Sequence, residues 1–264
     1  MFLRKYGRIS KQKTDYCGIA PLQQNGTTYT DSKDKATILN NYFASIFVSE
    51  DGPMPTLADD SYPDISPLLI NNEGVTALLL NLKDHKASGP DKIPTTLLKR
   101  LAIEISPVLT MIFQASLHQS VIPIDWKLAR VVPIFKKGER HNPGNYRPVS
   151  LTCICSKLLE HIIYSHIFSH LKKYDILCEQ QHGFRAKRSC ETQLLSTIND
   201  IAVNLDEGKQ TDVILLDFSK AFDRVAHMRL CHKLAHLGIK GSLLKWIERF
   251  LSDRMQHVIV EWRE

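Results

Sequence analysis

Apolar positions recur along the chain with two periods, and the switches between them mark its elements. In "DSKDKATILNNYFASIF", Leu39, Tyr42, Phe43, Ile46 and Phe47 share one face at the 3.6-residue period, which predicts an amphipathic helix in need of a partner surface. Four further helical stretches follow. They carry Val75, Leu78, Leu79 and Leu82; then Leu97, Leu98 and Leu101 after a Pro94 suited to a first helical turn; then Leu109, Ile112 and Phe113; then Leu158 to Leu171. Two runs read as strands, "ARVVPIF" from Ala129 to Phe135 and "DVILLDF" from Asp212 to Phe218. The second is apolar on both faces, as an interior strand of a covered sheet would be. A helix with Leu195, Ile198, Ala202 and Leu205 and the turn "DEGK" lead into it. Beyond it the helical period returns with Leu230, Leu234 and Leu237, closed by Gly238, and then with Leu243, Leu244, Ile247, Phe250 and Leu251.

Two regions lack a period. Residues 1–30 read as a tail or linker, and "SEDGPMPTLADDSYPDISP" is acidic and proline-rich, as an exposed linker is. The expected class is therefore α/β (α+β) and rich in helix. Residues 1–70 are expected to form an N-terminal extension and linker with one amphipathic helix, and residues 71–264 the main domain.

Composition adds bounds. With 264 residues and 43% apolar content the chain can bury a sizeable core. No window approaches 18 uninterrupted apolar residues, and the basic N-terminus lacks the apolar stretch of a signal peptide, so no membrane span is expected and the chain reads as intracellular. Six scattered cysteines without a C-x-x-C pair fit reduced thiols. The net charge of +6 is uneven: twelve Lys/Arg face four Asp/Glu between Trp126 and Cys190, so that segment carries +8 and the remainder −2. Such a field attracts a polyanion, although a solvated basic face explains many single clusters.

Candidate chemistry centres on Asp217, a carboxylate at the tip of an aliphatic run. A buried carboxylate requires a cation or strong donors, so Asp217 either meets a metal in a cleft or caps the next turn, pairing with Lys220 or Arg224. His166 and His170 stand four apart on a helical stretch, but no third ligand accompanies them, and a structural role is expected.

Four ordered stretches decide between these possibilities: "SGPDKIP" (Ser88 to Pro94), "VVPIFKKGERHNPGNYRPVSL" (Val131 to Leu151), "QQHGFRAKRSCETQL" (Gln180 to Leu194) and "LLDFSKAFDRV" (Leu215 to Val225). In order and spacing the chain closely resembles the reverse transcriptases of non-LTR (LINE-type) retrotransposons. "YTDSKDKATILNNYFASIF" and "GIKGSLLKWIERFLSDRMQHVIV" extend the similarity over nearly the whole chain.

The resemblance implies a right-hand polymerase fold, with fingers over roughly residues 80 to 200 and a partial palm from near 210. It implies RNA template, DNA primer and deoxynucleoside triphosphates as partners, and Mg²⁺ (or Mn²⁺) as cofactor. Asp217 would be the first catalytic carboxylate and a metal ligand, with the carbonyl of Phe218 adding a second oxygen. Phe222 would pack beneath the incoming sugar and reject a 2′-hydroxyl. Lys136 or Lys137, with Arg147 on the returning arm of a hairpin, would take the triphosphate. Gly183, Arg185, Lys187 and Arg188 would lie beside the template. Asp223 is expected in the following turn, paired with a basic neighbour.

The family's pattern continues to a Gly-rich motif, an aromatic-x-Asp-Asp hairpin and a thumb, which this sequence does not contain; Asp59-Asp60 lies far upstream. The 264-residue chain is accordingly expected to hold metal weakly and to have little or no activity. The alternative functions are a non-catalytic nucleic-acid-binding remnant and a protein-interaction scaffold built on the N-terminal helices.

Overall fold

The computed structural model describes residues 18–48, 52–57, 62–84 and 86–260. Asp59-Asp60 and Cys17 lie outside the described residues. Where the sequence suggested an unpatterned tail, β1 (Leu22–Gln24) and β2 (Thr27–Tyr29) form an antiparallel hairpin. Its turn is Asn25-Gly26, both at positive φ (51° and 78°), the two-residue turn chemistry that a search for longer periods passes over. Helix α1 (Ser32–Ala44) follows, started by Asp31, whose carboxylate accepts from the backbone N–H of Lys33 and Asp34.

Next come α2 (Asn72–Leu80), α3 (Thr95–Arg100), α4 (Ala102–Gln119) and the single turn α5 (Ile124–Lys127). The chain then forms β3 (Leu128–Phe135), a 3₁₀ turn at Pro143–Asn145, β4 (Tyr146–Leu151), α6 (Ile154–Lys173), α7 (Cys190–Asp206), α8 (His227–His236), α9 (Gly241–Leu251) and β5 (Met255–Val258). Strands β3 and β4 pair antiparallel, and β5 adds to β3 in parallel, giving the order β4-β3-β5.

Two cores result. One is helical: Val75, Leu79, Phe113, Leu159, Leu243 and Trp246 interlock from α2, α4, α6 and α9. The other sits under the sheet, where Ile38, Leu39, Phe43 and Ile46 meet Leu22, Val131 and Tyr146. The partner that α1 needs is thus the face of the β3–β4 hairpin, so the helix of the N-terminal region shares a core with strands of the region beyond residue 70. The end of the acidic linker is tied down as well, with Ile65 N–H donating to the Gly238 carbonyl (2.8 Å).

"SGPDKIP" serves packing. A Cβ at Gly89 would come within 2.6 Å of the Thr152 and Cys153 backbone, so only glycine lets this loop lie flush on the start of α6. Cys153 donates its thiol hydrogen to Asp91 at 2.7 Å. The Cys155 sulfur beside it, burial and that carboxylate together push the Cys153 thiol well above its ordinary value. The five described cysteines are all free. His166 and His170 donate from Nε2 to the carbonyls of Ser66 (2.7 Å) and Leu237 (2.9 Å), so the i, i+4 pair ties α6 to two other segments.

One sequence expectation is overturned. Residues 212–218 form no strand, and Leu215 is 90% exposed. An interior strand is made by its neighbours, and among the described residues no strand lies beside this run to satisfy its backbone groups. Apolar sequence supplies the tendency without the ladder. Helix α7 forms through its capping box, in which Ser189 and Thr192 exchange side chain to backbone bonds, yet none of its residues is buried. No described helix is long and apolar enough to cross a membrane.

Candidate active site

Hairpin register places the candidate triphosphate ligands. Ile134 lies opposite Arg147 and Phe135 opposite Tyr146, and the Lys136 N–H continues the ladder to the Asn145 carbonyl (2.8 Å). Because side chains alternate, Phe135 and Tyr146 turn to the core under α1, while Ile134, Lys136 and Arg147 turn to solvent. Lys136 therefore stands beside Arg147 on one exposed face, and neither is engaged by a side-chain partner among the described residues. Lys137, one position further, has left the ladder for the loop. Gly138 at φ 84° and Asn145, whose side-chain N–H donates to the Glu139 carbonyl (2.9 Å), shape that loop.

The "HGFRAKRSC" loop is largely self-bonded. Arg185 donates to the carbonyls of Cys178 (2.7 Å) and Leu177 (3.3 Å), and Arg188 donates to Nε2 of His182 (3.2 Å). A guanidinium can only donate, so His182 carries its hydrogen on Nδ1 and gives it to the Thr192 hydroxyl (2.8 Å). Two of the three expected template cations thus hold the loop onto the start of α7. Lys187, at φ 62°, is exposed and has no such partner among the described residues. Gly183 is not at positive φ, and a Cβ there would meet nothing within 4 Å, so no internal contact demands glycine.

Asp217 lies at the end of the exposed run and enters a turn over residues 219–224, where Lys220 takes φ 52° and its carbonyl accepts from the N–H of Asp223 (3.0 Å) and Arg224 (3.1 Å). The carboxylate is exposed, not buried as the aliphatic run suggested. Asp223 is the half-buried acid, its carboxyl raised by burial and partly restored by the Lys220 charge. It sits in the turn, as expected from its distance beyond Asp217.

Two contacts tie this turn to the rest of the chain. The ring of Phe222 meets that of Phe184 edge to face, and the Lys220 ammonium donates to the Tyr42 hydroxyl at 2.7 Å. The first brings "HGFR" to "DFSKAF"; the second brings α1 to the same turn. Sequence reasoning assigned neither Tyr42 nor Phe184 a part in the site. Tyr42 reads as one more core position of an amphipathic helix, and only the glycine of "NPGNY" hints otherwise: a Cβ on Gly144 would come within 3.1 Å of the Tyr42 oxygen.

Comparison with known proteins covers these elements. Residues 134–264, which include β4, the "HGFR" loop and the Asp217 turn, match the family model for reverse transcriptase (RNA-dependent DNA polymerase). The chain belongs to the reverse transcriptase family. It is 32% identical over 161 residues to "Probable RNA-directed DNA polymerase from transposon X-element" of Drosophila melanogaster, covering 61% of this chain and 18% of that protein. Against "Probable RNA-directed DNA polymerase from transposon BS" of the same species the identity is 30%, covering 72% and 21%. Against "RNA-directed DNA polymerase from mobile element jockey" of Drosophila funebris it is 28%, covering 69% and 20%. These relatives are non-LTR retrotransposon proteins, and the chain spans about a fifth of their length. It carries a reverse transcriptase domain of that type.

Divalent metal suits the oxygen donors at the turn, an exposed carboxylate at Asp217 and the carbonyl of Phe218. Among the described residues no group of three or more His, Cys, Asp or Glu is placed to hold a metal ion. Magnesium does not require such a cage, because it binds through one or two carboxylates, substrate phosphates and retained waters.

Proposed function

We propose that this reverse transcriptase domain contributes the nucleotide-addition chemistry of RNA-templated DNA synthesis, taking deoxynucleoside triphosphates onto a primer strand. In this reading the fold is the right-hand polymerase type, with fingers over roughly residues 80 to 200 and the palm from near 210. Residues 1–70 form the N-terminal region and 71–264 the reverse transcriptase domain. The observation that carries the reading is the juxtaposition of Lys136 and Arg147 on the exposed face of the hairpin.

Arg147 offers a planar pair of donors to two phosphate oxygens, and Lys136 a mobile point charge to a third. Together they balance triphosphate charge and hold the substrate for in-line transfer. Asp217, with the Phe218 carbonyl, would hold Mg²⁺ (or Mn²⁺), which when bound supplies charge neutralisation at the transferring phosphate and lowers the pKa of the attacking hydroxyl. Phe222 forms the floor beneath the sugar, with Phe184 bracing it. Gly183 leaves open space beside the template, and Lys187 supplies a phosphate contact, while Arg185 and Arg188 hold the loop in shape.

Joining this chain at Glu264 to the residues beyond the aligned region of a curated relative tests the reading by primer extension on an RNA template. Asp217→Asn is expected to abolish extension and leave template binding within about twofold, because the change removes a metal charge and no phosphate contact. Retained extension in Asp217→Asn overturns the assignment.

A further inference from the structure

The Asp217 turn has no strand ladder to fix it among the described residues, so what holds it in register with the triphosphate hairpin must come from side chains. Tyr42 is placed for that task. It lies on α1, whose apolar face is locked to the hairpin by Phe43, Leu39 and Ile38 against Val131 and Tyr146. Its hydroxyl sits beside Gly144 at the hairpin's 3₁₀ turn and accepts from Lys220, three residues beyond Asp217. The Lys220 ammonium also lies 4.6 Å from the centre of the Tyr42 ring, so the charge is held by both the oxygen and the π face.

We propose that Tyr42 is a positioning residue that spans the two halves of the candidate active site, setting the distance from the Lys136/Arg147 hairpin to the Asp217 turn. This deepens the nucleotide-addition reading and rests on it for its functional part. The physical logic is a lever with one rigid arm. Helix α1 and the hairpin share a packed core and move together, whereas residues 212–218 are exposed and contribute few buried contacts. One charge-assisted hydrogen bond at the end of the rigid arm therefore removes more freedom from the turn than it would between two packed elements. The left-handed backbone of Lys220 points the same way: φ 52° costs strain in a residue with a Cβ, and here it accompanies the reach of the side chain back to α1.

Hydrogen exchange on this chain tests the contact without requiring activity. Tyr42→Phe keeps the ring in place and removes the oxygen. Exchange in the peptide covering residues 219–225 is expected to rise about fivefold, as for loss of one modest hydrogen bond. Amides of β3 and β4 are expected to stay unchanged. Lys220→Met should produce the same increase, and the double variant no more than either single one. Unchanged exchange over 219–225, additive effects in the double variant, or a parallel rise in β3 and β4 would each overturn the proposal. In the extended chimera, Tyr42→Phe is expected to lower kcat/KM for the nucleotide about fivefold, with primer–template affinity unchanged; equal loss in both, or no loss, also overturns it. Extension that survives Asp217→Asn would instead remove the nucleotide-addition reading, and the exchange result would still decide whether Tyr42 anchors the turn.

Discussion

Phe184 and Phe222 meet edge to face, with ring centroids 5.9 Å apart and ring planes at 82°. Each ring is partly exposed, Phe222 at 49%, so the pair forms a braced aromatic surface and not a core contact. If Phe222 floors the sugar, Phe184 stiffens that floor. Phe184→Ala in the extended chimera is expected to weaken discrimination against ribonucleotides by up to about tenfold, the worth of one aromatic pair. Phe222→Ala removes the floor itself and should weaken it further. Competitive incorporation of ribonucleotide and deoxynucleotide measures both, and identical discrimination in Phe184→Ala and the parent chain would contradict the bracing role.

The hairpin separates two adjacent lysines by the alternation of its strands. Lys136→Ala and Arg147→Ala are each expected to raise KM for the nucleotide about tenfold or more, as loss of a charged phosphate contact does, while Lys137→Ala changes it less than twofold. Arg147→Lys should recover little, because a point charge cannot reproduce the two-pronged donor. Steady-state kinetics on the chimera read the three side by side.

Template binding divides the "HGFRAKRSC" cations in a similar way. Lys187→Ala is expected to lower the log–log salt slope of RNA binding by roughly 0.7 to 0.9, one phosphate contact, with thermal stability unchanged. Arg188→Ala should instead loosen the start of α7, because His182 Nε2 loses its donor. Binding titrations over a salt series, paired with exchange at residues 189–193, separate the two effects.

Burial raises the Asp223 carboxyl above its ordinary 3.8, and the Lys220 charge offsets part of the rise. The folded chain then holds this proton at a pH where the unfolded chain has released it. Ionised Asp223 costs stability above its folded value, and the cost vanishes as pH falls below 3.8. Asp223→Asn is therefore expected to raise the urea midpoint at pH 7, with the gain fading towards pH 4. A gain that does not depend on pH would assign the effect to packing.

At Gly89 the neighbouring atoms belong to backbone and cannot swing aside. Gly89→Ala is expected to destabilise the chain by about 1–3 kcal/mol, the range for forced overpacking, read by chemical denaturation.

Taken alone, the sequence determined the periodic elements. The faces of α1, α2, α4, α6 and α9 and the strand β3 follow from spacing, because one continuous apolar stripe suffices to dictate which side of a helix or strand is buried. It also determined the family, since ordered motifs survive in the linear text, and the structural use of His166 and His170, since two ligands without a third make no metal site. The β1–β2 turn was written there as Asn25-Gly26, in two residues and not in a period. Tertiary structure alone decided three matters. The run from Val213 to Phe218 has the composition of an interior strand, but a strand exists only where neighbours complete its hydrogen bonds. Lys136 parts from Lys137 through a register that no local pattern encodes. Tyr42 and Lys220 lie 178 positions apart and meet only because α1 packs beneath the hairpin, so their contact is a property of the packed core and invisible in either segment.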